Sequence, residues 1–371
     1  GTLIFHIVTG GQIPIFLASS FAFIAPIIAA KGRFGLEETL GGLMAAGILY
    51  IILSGAVRLR GTGFITRLLP PVVIGPVIMV IGLGLAPVAV HMASGRTGDG
   101  AQQLVPYDTA IWIAMISLTV TVIMAVWSSG IFRLIPIMFG IIVGYILSAF
   151  AGIVDLSPIT NAPWFAIPNF VAPEFSWAAI LFMIPVAIAP AIEHIGDILA
   201  IGTVTRKNYL EKPGLHRTLL GDGLATSAAS ALGGPPNTTY SEVTGAVVLT
   251  KNFNPKVMIW AACIAIVLAF IGKFGAALQT IPAPVMGGIL CLLFGSIAVV
   301  GLNTLIRHQV DLSQARNLVI VAITLVFGIG GMAIGNLEGI ALCAVVAIAL
   351  NLILPGKGEA WGARIHEKDT H

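Results

Sequence analysis

"PVVIGPVIMVIG", residues 71–82, and "PVMGGILCLLFG", residues 284–295, align without a gap, matching Pro71 with Pro284, Val72 with Val285, Gly75 with Gly288 and Gly82 with Gly295. A second echo pairs "TGGQIPIFLASSF" (9–21) with "LGGPPNTTYSE" (232–242): two glycines, a proline-broken polar stretch, then a resumed helix. Two echoes in the same order point to an internal duplication. How the copies face each other depends on how often the chain crosses a membrane between them.

Composition requires those crossings. Only 9% of the chain is charged, 57% is hydrophobic and the mean hydropathy is +0.99, so no polar shell around a soluble core can be built from it. Apolar runs near or above the roughly 20 residues that span a bilayer recur, as at Leu40–Val57, Ala110–Trp127, Leu134–Val154, Trp177–Val204 and Val257–Ile271. The alternating short segments of an outer-membrane barrel are absent. After a partial span at Gly1–Thr9, spans are expected centred near residues 23, 48, 80, 118, 144, 189, 225, 245, 266, 293, 325 and 346. An odd number separates the repeat copies, so the halves face opposite ways. Inverted repeats mark secondary transporters. The expected fold is an all-α polytopic membrane protein with a 7+7 inverted repeat, about fourteen helices in the intact protein and about thirteen here. The chain opens on Gly1 with an apolar run too short to cross, and so reads as a fragment lacking its N-terminal helix.

If the loop carrying Arg58, Arg60 and Arg67 is cytoplasmic, the same side receives most of the 19 Lys and Arg, while the long loop Asp155–Ser176 has none. The positive-inside rule then puts the C-terminus in the cytoplasm and the protein in the cell (inner) membrane. Cys263, Cys291 and Cys343 lie in separate apolar spans without metal-ligand spacing, and read as core packing. No metal or organic cofactor is expected.

In hydrocarbon an unpaired backbone N–H or C=O costs several kcal/mol, so "QIPIF" and "GGPPNTTY" must be buried in protein or line a cavity. Each ends in N-cap residue types, Ser19/Ser20 and Thr239/Ser241, before an apolar helix resumes. Facing half-helix N-termini would offer free N–H groups to a ligand. The alternative is a pair of re-entrant turns filled by packing.

Of the 16 Asp and Glu, four fall at membrane depth within one short window: Glu193, Asp197, Asp222 and Glu242. Intramembrane carboxylates mark function by default, with a structural hydrogen-bond network as the alternative. Glu193 and Asp197, four apart in "EHIGD", share one helix face and titrate as a coupled pair, a means of holding a proton. Glu242 follows the Ser241 cap, where a helix N-terminus favours the anion. Asp222, between Gly221 and Gly223, would either fix the broken segment or join the proton path, and its glycines would let another backbone approach. His194 points about 100° from Glu193 and reads as packed or interfacial. Phe21 and Tyr240 begin the two half-helices, either as core or as covers for the faces of a flat ligand.

At these residues the chain resembles the uracil/xanthine permease family, the nucleobase–ascorbate transporters. "IPIFLASSFAFIAP", "EHIGD", "KPGLHRTLLGDGLAT", "GGPPNTTYSE", "IPAPVMGGI" and "QARNLVIV" all read as family segments. The resemblance implies a core domain carrying the site (1–57 and 176–276), a gate domain (58–155 and 277–356), a cytoplasmic tail (357–371), and two broken helices with short antiparallel strands. It implies that Glu193 and Glu242 bind the base, that Phe21 stacks on it, that Asp197 occupies the proton-relay position and that Asp222 is the acid common in the ninth helix; Asp197, Glu193 and Asp222 are the residues expected to serve proton coupling. Tyr240, Ser241 and Ser20 complete the expected substrate site. The family signature fits at Glu242, Gly245, Thr250 and Lys251, but Val243 replaces Asn.

The function expected is transport and no enzymatic activity: proton-coupled symport of a nucleobase, uracil first, into the cell. Xanthine or another purine is the alternative, and Na⁺ stays open as the coupling ion. The partners expected are the nucleobase and the bilayer; a homodimer is left open and no nucleic acid is expected. An anion exchanger of the same architecture would place an anion among four acids, which repel it. An intramembrane aspartyl protease needs glycine three residues before each Asp, where this chain has His194 and Leu219.

Overall fold

Glycine and proline set the ends of the elements in the computed structural model, which describes residues 1–61, 63, 67–335 and 337–356. The side chains of Ala25, Ile131, Leu134, Ser241, Glu242 and Glu338, and the expected tail 357–371, lie outside the described residues. Helix α1 (Thr2–Thr9) stops at Gly10, φ +68°, whose amide reaches the carbonyls of His6 and Ile7. A left-handed residue here suits glycine, which has no Cβ to clash. The chain then runs extended past Pro14 into β1 (Leu17–Ser19), turns through a 3-10 helix at Phe21–Phe23, and resumes as α2 (Ile24–Phe34). Helix α3 (Leu36–Arg60) has Glu37 and Glu38 in its first turn and Arg58 and Arg60 in its last, matching its dipole at both ends.

Next come α4 (Pro71–Gly84), α5 (Ala86–Ala93), α6 (Tyr107–Val126), α7 (Pro136–Phe150) and the short α8 (Ser157–Asn161). Helix α9 (Trp177–Thr205) leads to α10 (Leu215–Ala231), which closes near Gly233, φ +87°. The second break carries β2 (Asn237–Thr239) into α11 (Ser241–Thr250). Then follow α12 (Lys256–Ala269), α13 (Gly272–Gln279), α14 (Ala283–Arg307) and α15 (Ala315–Ile329). A small hairpin pairs β3 (Ala333–Ile334) with β4 (Leu337–Glu338) before α16 (Gly339–Ile353).

Each expected span centre falls on one of these helices or on the Phe21–Phe23 turn. Among the described residues, five stretches are long and apolar enough to cross a bilayer: Leu36–Arg60, Pro71–Ala93, Tyr107–Val126, Trp177–Thr205 and Ala283–Arg307. Outward-facing Trp112, Trp260 and Val326 are 67–70% exposed, as side chains that meet lipid are.

Packing divides the chain into two units. The first comprises Gly1–Gly84, Asn169–Ala262 and the chain from Ala298 on; the second comprises Leu85–Pro168 and Cys263–Ile297. In the first, α3 and α10 approach through small residues: a Cβ on Gly223 would sit 2.7 Å from the Gly47 carbonyl oxygen, and one on Gly47 would sit 2.7 Å from that of Gly223. Close backbone approach through glycine is how helices gain contact in lipid. Val247 of α11 joins Phe5, Ile13, Ile15, Leu17 and Ile198 in an apolar cluster. In the second unit, a Cβ on Gly288 would lie 2.2 Å from the Ala114 carbonyl oxygen, and Ile113, Val285 and Ile289 form the core.

Candidate functional site

The two broken segments meet. Strand β1 pairs antiparallel with β2 in the register Leu17–Thr239, Ala18–Thr238, Ser19–Asn237. The ladder continues one step at each end, with Tyr240 N–H donating to Phe16 O at 3.1 Å and Ser20 N–H to Pro236 O at 2.9 Å. Segments that proline keeps out of helix thus satisfy each other's backbone, which hydrocarbon would not do. Both resumed helices start from this pair, so their N-terminal turns are held beside one another.

Helix α9 presents two of the carboxylates to β2. Asp197, 3% exposed, accepts the hydroxyl of Thr239 at 2.6 Å, a short bond of the charge-assisted kind. Glu193, one turn earlier and half-buried, receives the Thr238 hydroxyl at 3.5 Å, the limit of a hydrogen bond. The i, i+4 spacing has put both on the face that looks at the strand pair. The rings of Phe21 and Tyr240 lie nearly parallel, 19° apart in plane, with centroids 6.3 Å apart, and Tyr240 OH donates to Ser19 O at 2.8 Å. Ser20 is buried, and its hydroxyl has no partner among the described residues.

Asp222 stands elsewhere. Its Oδ2 lies 3.0 Å from His194 Nδ1 and both side chains are fully buried, with the edge of Phe5 against the imidazole. The distance is that of an ion pair, while the angle is off that of a hydrogen bond. Neither side chain makes another hydrogen bond among the described residues. His194 is packed, as its helical direction implied, but its partner across α10 was not legible from the wheel. The glycines around Asp222 do admit close neighbours: a Cβ on Gly221 would lie 3.2 Å from Phe5 Cα.

Among the described side chains the expected caps are not formed. Ser20 has the extended backbone of an N-cap yet makes no side-chain cap bond, and the N-cap of α11 is Tyr240, which makes none either. The physical reason on the second strand is competition, since the Thr239 hydroxyl is taken by Asp197. At these helix starts the Phe23 and Val243 amides turn back to the carbonyls of Ser20 and Tyr240, at 3.3 and 3.2 Å. Ser241 and Glu242 begin α11, but their side chains lie outside the described residues. Val243 packs on the apolar cluster around Leu17 and Val247. A separate cavity of about 460 Å³, lined by Gly11, Gln12, Lys207, Tyr209, Lys212 and Pro255, holds none of the four carboxylates.

The family model Xan_ur_permease, described as "Permease family", matches residues 1–337. The chain is 57% identical over 359 residues to the probable uracil permease of Pasteurella multocida, covering 96% of this chain and 85% of that protein. It is 44% identical over 371 residues to the uracil permease of Bacillus caldolyticus, covering 97% and 85%. With the uracil permease of Escherichia coli K12 it shares 40% over 357 residues, covering 95% and 82%. Among solved structures, the transmembrane domain of a cyanobacterium bicarbonate transporter, BicA, matches with a TM-score of 0.61 at 18% identity, over 95% of this chain and 92% of that one. SLC26A9 matches with a TM-score of 0.68 at 13% identity, over 95% and 58%. At those identities the likeness shows the fold alone, a polytopic 7+7 inverted-repeat transporter fold. With the family model spanning most of its length and close relatives throughout, the chain belongs to the uracil/xanthine permease family.

Proposed function

We propose that the protein is a secondary active transporter that carries a nucleobase, uracil first, into the cell by symport with protons. The observation that carries this reading is the pair of carboxylates, Glu193 and Asp197, facing the strand pair from which two half-helices start. The uracil permease names of relatives at 40–57% identity support the substrate.

The chemistry follows from the imide edge of the base, which alternates N–H and C=O. Glu193 and Glu242 accept from ring N–H groups, while half-helix N–H groups and the Ser20 hydroxyl donate to carbonyls. Ser241 stands at the start of α11, one residue before Glu242. Phe21 and Tyr240 cover the faces of the ring. Asp197 links the proton to the strand: ionised, it accepts from Thr239 as a charged acceptor; protonated, it is a neutral and weaker one, and the hold of α9 on β2 loosens. Asp222, paired with His194, joins Glu193 and Asp197 in proton coupling. Segments 1–57 and 176–276 form the core that moves against a gate of 58–155 and 277–356, with the C-terminus cytoplasmic.

Xanthine is the second reading, favoured by Asp197, since the family resemblance gives purine carriers Asp at that position. An anion exchanger would use the same N-termini, yet Glu193 and Asp197 beside them repel an anion.

The test is uptake of labelled uracil and xanthine by the full-length protein in proteoliposomes under an imposed proton or sodium gradient. Uracil accumulation that needs the proton gradient, collapses with a protonophore and is lost in Glu193→Gln supports the reading. Accumulation driven by sodium alone, or sulfate exchange without nucleobase uptake, contradicts it.

A further inference from the structure

A two-stranded sheet at membrane depth has two outer edges and no third strand to pair them. In an antiparallel ladder, residues alternate between bonding the opposite strand and facing outward. Phe16 and Ser20 bond across to the second segment, so Leu17 faces outward on β1, and by the same alternation Asn237 faces outward on β2. These are the first residues of the two strands, and each meets one threonine.

Thr2 Oγ1 donates to Leu17 O at 2.7 Å and accepts from Leu17 N–H at 2.9 Å. Thr226 Oγ1 donates to Asn237 O at 3.2 Å and accepts from Asn237 N–H at 3.2 Å. One hydroxyl thus serves both backbone groups of one residue, as a third strand would, because a hydroxyl both donates and accepts. Thr2 is 3% exposed and Thr226 fully buried, so solvent does not share the task. Each threonine lies on the helix that leads, through a left-handed glycine, into its own strand: Thr2 on α1 before Gly10, Thr226 on α10 before Gly233. The arrangement recurs in both halves of the duplication, although the quoted sequence echo contains neither threonine.

We propose that Thr2 and Thr226 are positioning residues of the nucleobase site, each standing in for a missing strand and fixing the register in which the half-helices start. The neighbours of Asn237 show what depends on that register: Thr238 and Thr239 bond Glu193 and Asp197, and Tyr240 follows. A loosened β2 withdraws these partners from both carboxylates without touching a group that contacts the base. The transport readout of this inference rests on the nucleobase reading above; its exchange readout does not.

The test uses the full-length protein with Thr226→Val, Thr2→Val and the serine variants T226S and T2S. Thr9→Val is the control, because the Thr9 hydroxyl is equally buried but bonds within α1, to Phe5 O at 2.7 Å. Two quantities are read: amide hydrogen exchange over residues 14–20 and 235–240, and KM and Vmax for labelled uracil. T226V is expected to speed exchange in 235–240 and raise KM, each by at least about tenfold, the scale of one lost buried backbone bond. T226S is expected to restore both to within about twofold, and T9V to change neither. Should T226V fail to fold, T2V must show the same behaviour in 14–20, with T2S as its rescue. Exchange and KM at the wild-type level in T226V or T2V would overturn the inference, as would damage in T9V equal to theirs. Wild-type protein that takes up no nucleobase would sink the proposed function, and the exchange comparison would still decide this one.

Discussion

Thr239→Val tests the proposed link between the Glu193/Asp197 carboxylate pair and the broken helix. The substitution keeps the shape of the side chain and removes the hydroxyl that donates to Asp197 at 2.6 Å. Both partners are at most 3% exposed, so water cannot replace the lost donor. A hydrogen bond to a charged group is worth about 1.5–3 kcal/mol, which is roughly a tenfold to hundredfold loss when it is removed. The assay is uracil counterflow in proteoliposomes, which needs no net proton movement and so can be run on Asp197 variants too. T239V should slow counterflow by about that factor, and T239S should recover most of it. In Asp197→Asn, where the partner is neutral, the same change should cost less than about fivefold, giving a coupling of roughly 0.5 kcal/mol or more. Equal costs in the two backgrounds would refute the reasoning, because the hydroxyl would then act through packing of β2 and not through the carboxylate.

Other expectations follow from particular contacts. Gly223→Val puts carbon against the Gly47 carbonyl, 2.7 Å from the ideal Cβ, and should lower the melting temperature in detergent by several degrees, while Gly245→Ala, with nothing within 4 Å, should leave it unchanged. Val243→Asn should destabilise the protein by about 1–3 kcal/mol, since the amide enters an apolar cluster, and should leave the uracil-to-xanthine preference where it was; competition uptake and melting separate the two effects. In the loops, Asp99 is held below the ordinary carboxylate range by the Thr97 hydroxyl and then the Ala101 amide, Asp155 by the Ser157 amide and hydroxyl, and Asp311 by the Ser313 hydroxyl and amide. A depressed carboxyl contributes above its unfolded pKa, about 4, and its contribution fades only as the pH falls below that. Asp155→Asn and Asp311→Asn should therefore leave the pH profile of uptake between about 5 and 8 unmoved, whereas Asp197→Asn should flatten it.

Much of this architecture was legible because the solvent dictates it. Apolar runs that must cross a bilayer announced the helices, and the Gly-Gly and proline clusters at 10–14 and 233–236 announced the breaks. Glu193 and Asp197 share a face for the geometric reason that any helix puts residues i and i+4 together. What stayed hidden were pairings across long sequence separations. Which hydroxyl caps, and which bonds a carboxylate, depends on a neighbour: Thr239 looked like a cap residue until α9 stood beside it. His194 gave a direction but not its partner Asp222 on α10. Thr2 lay in no quoted motif, and Thr226 only closed the segment "KPGLHRTLLGDGLAT" with no role attached to it. Their signal was a question of backbone accounting, namely what pairs the outer edges of two strands in hydrocarbon.

The central claim is that the meeting point of the two broken helices, read by Glu193, is where the base binds. The direct measurement is equilibrium binding of labelled uracil to purified full-length protein, comparing wild type, Glu193→Ala and the loop control Asp311→Asn. The account predicts saturable binding in wild type and the control, and a loss of at least about tenfold in Glu193→Ala, the scale of a hydrogen bond to a charged group. Wild-type affinity in Glu193→Ala would contradict it.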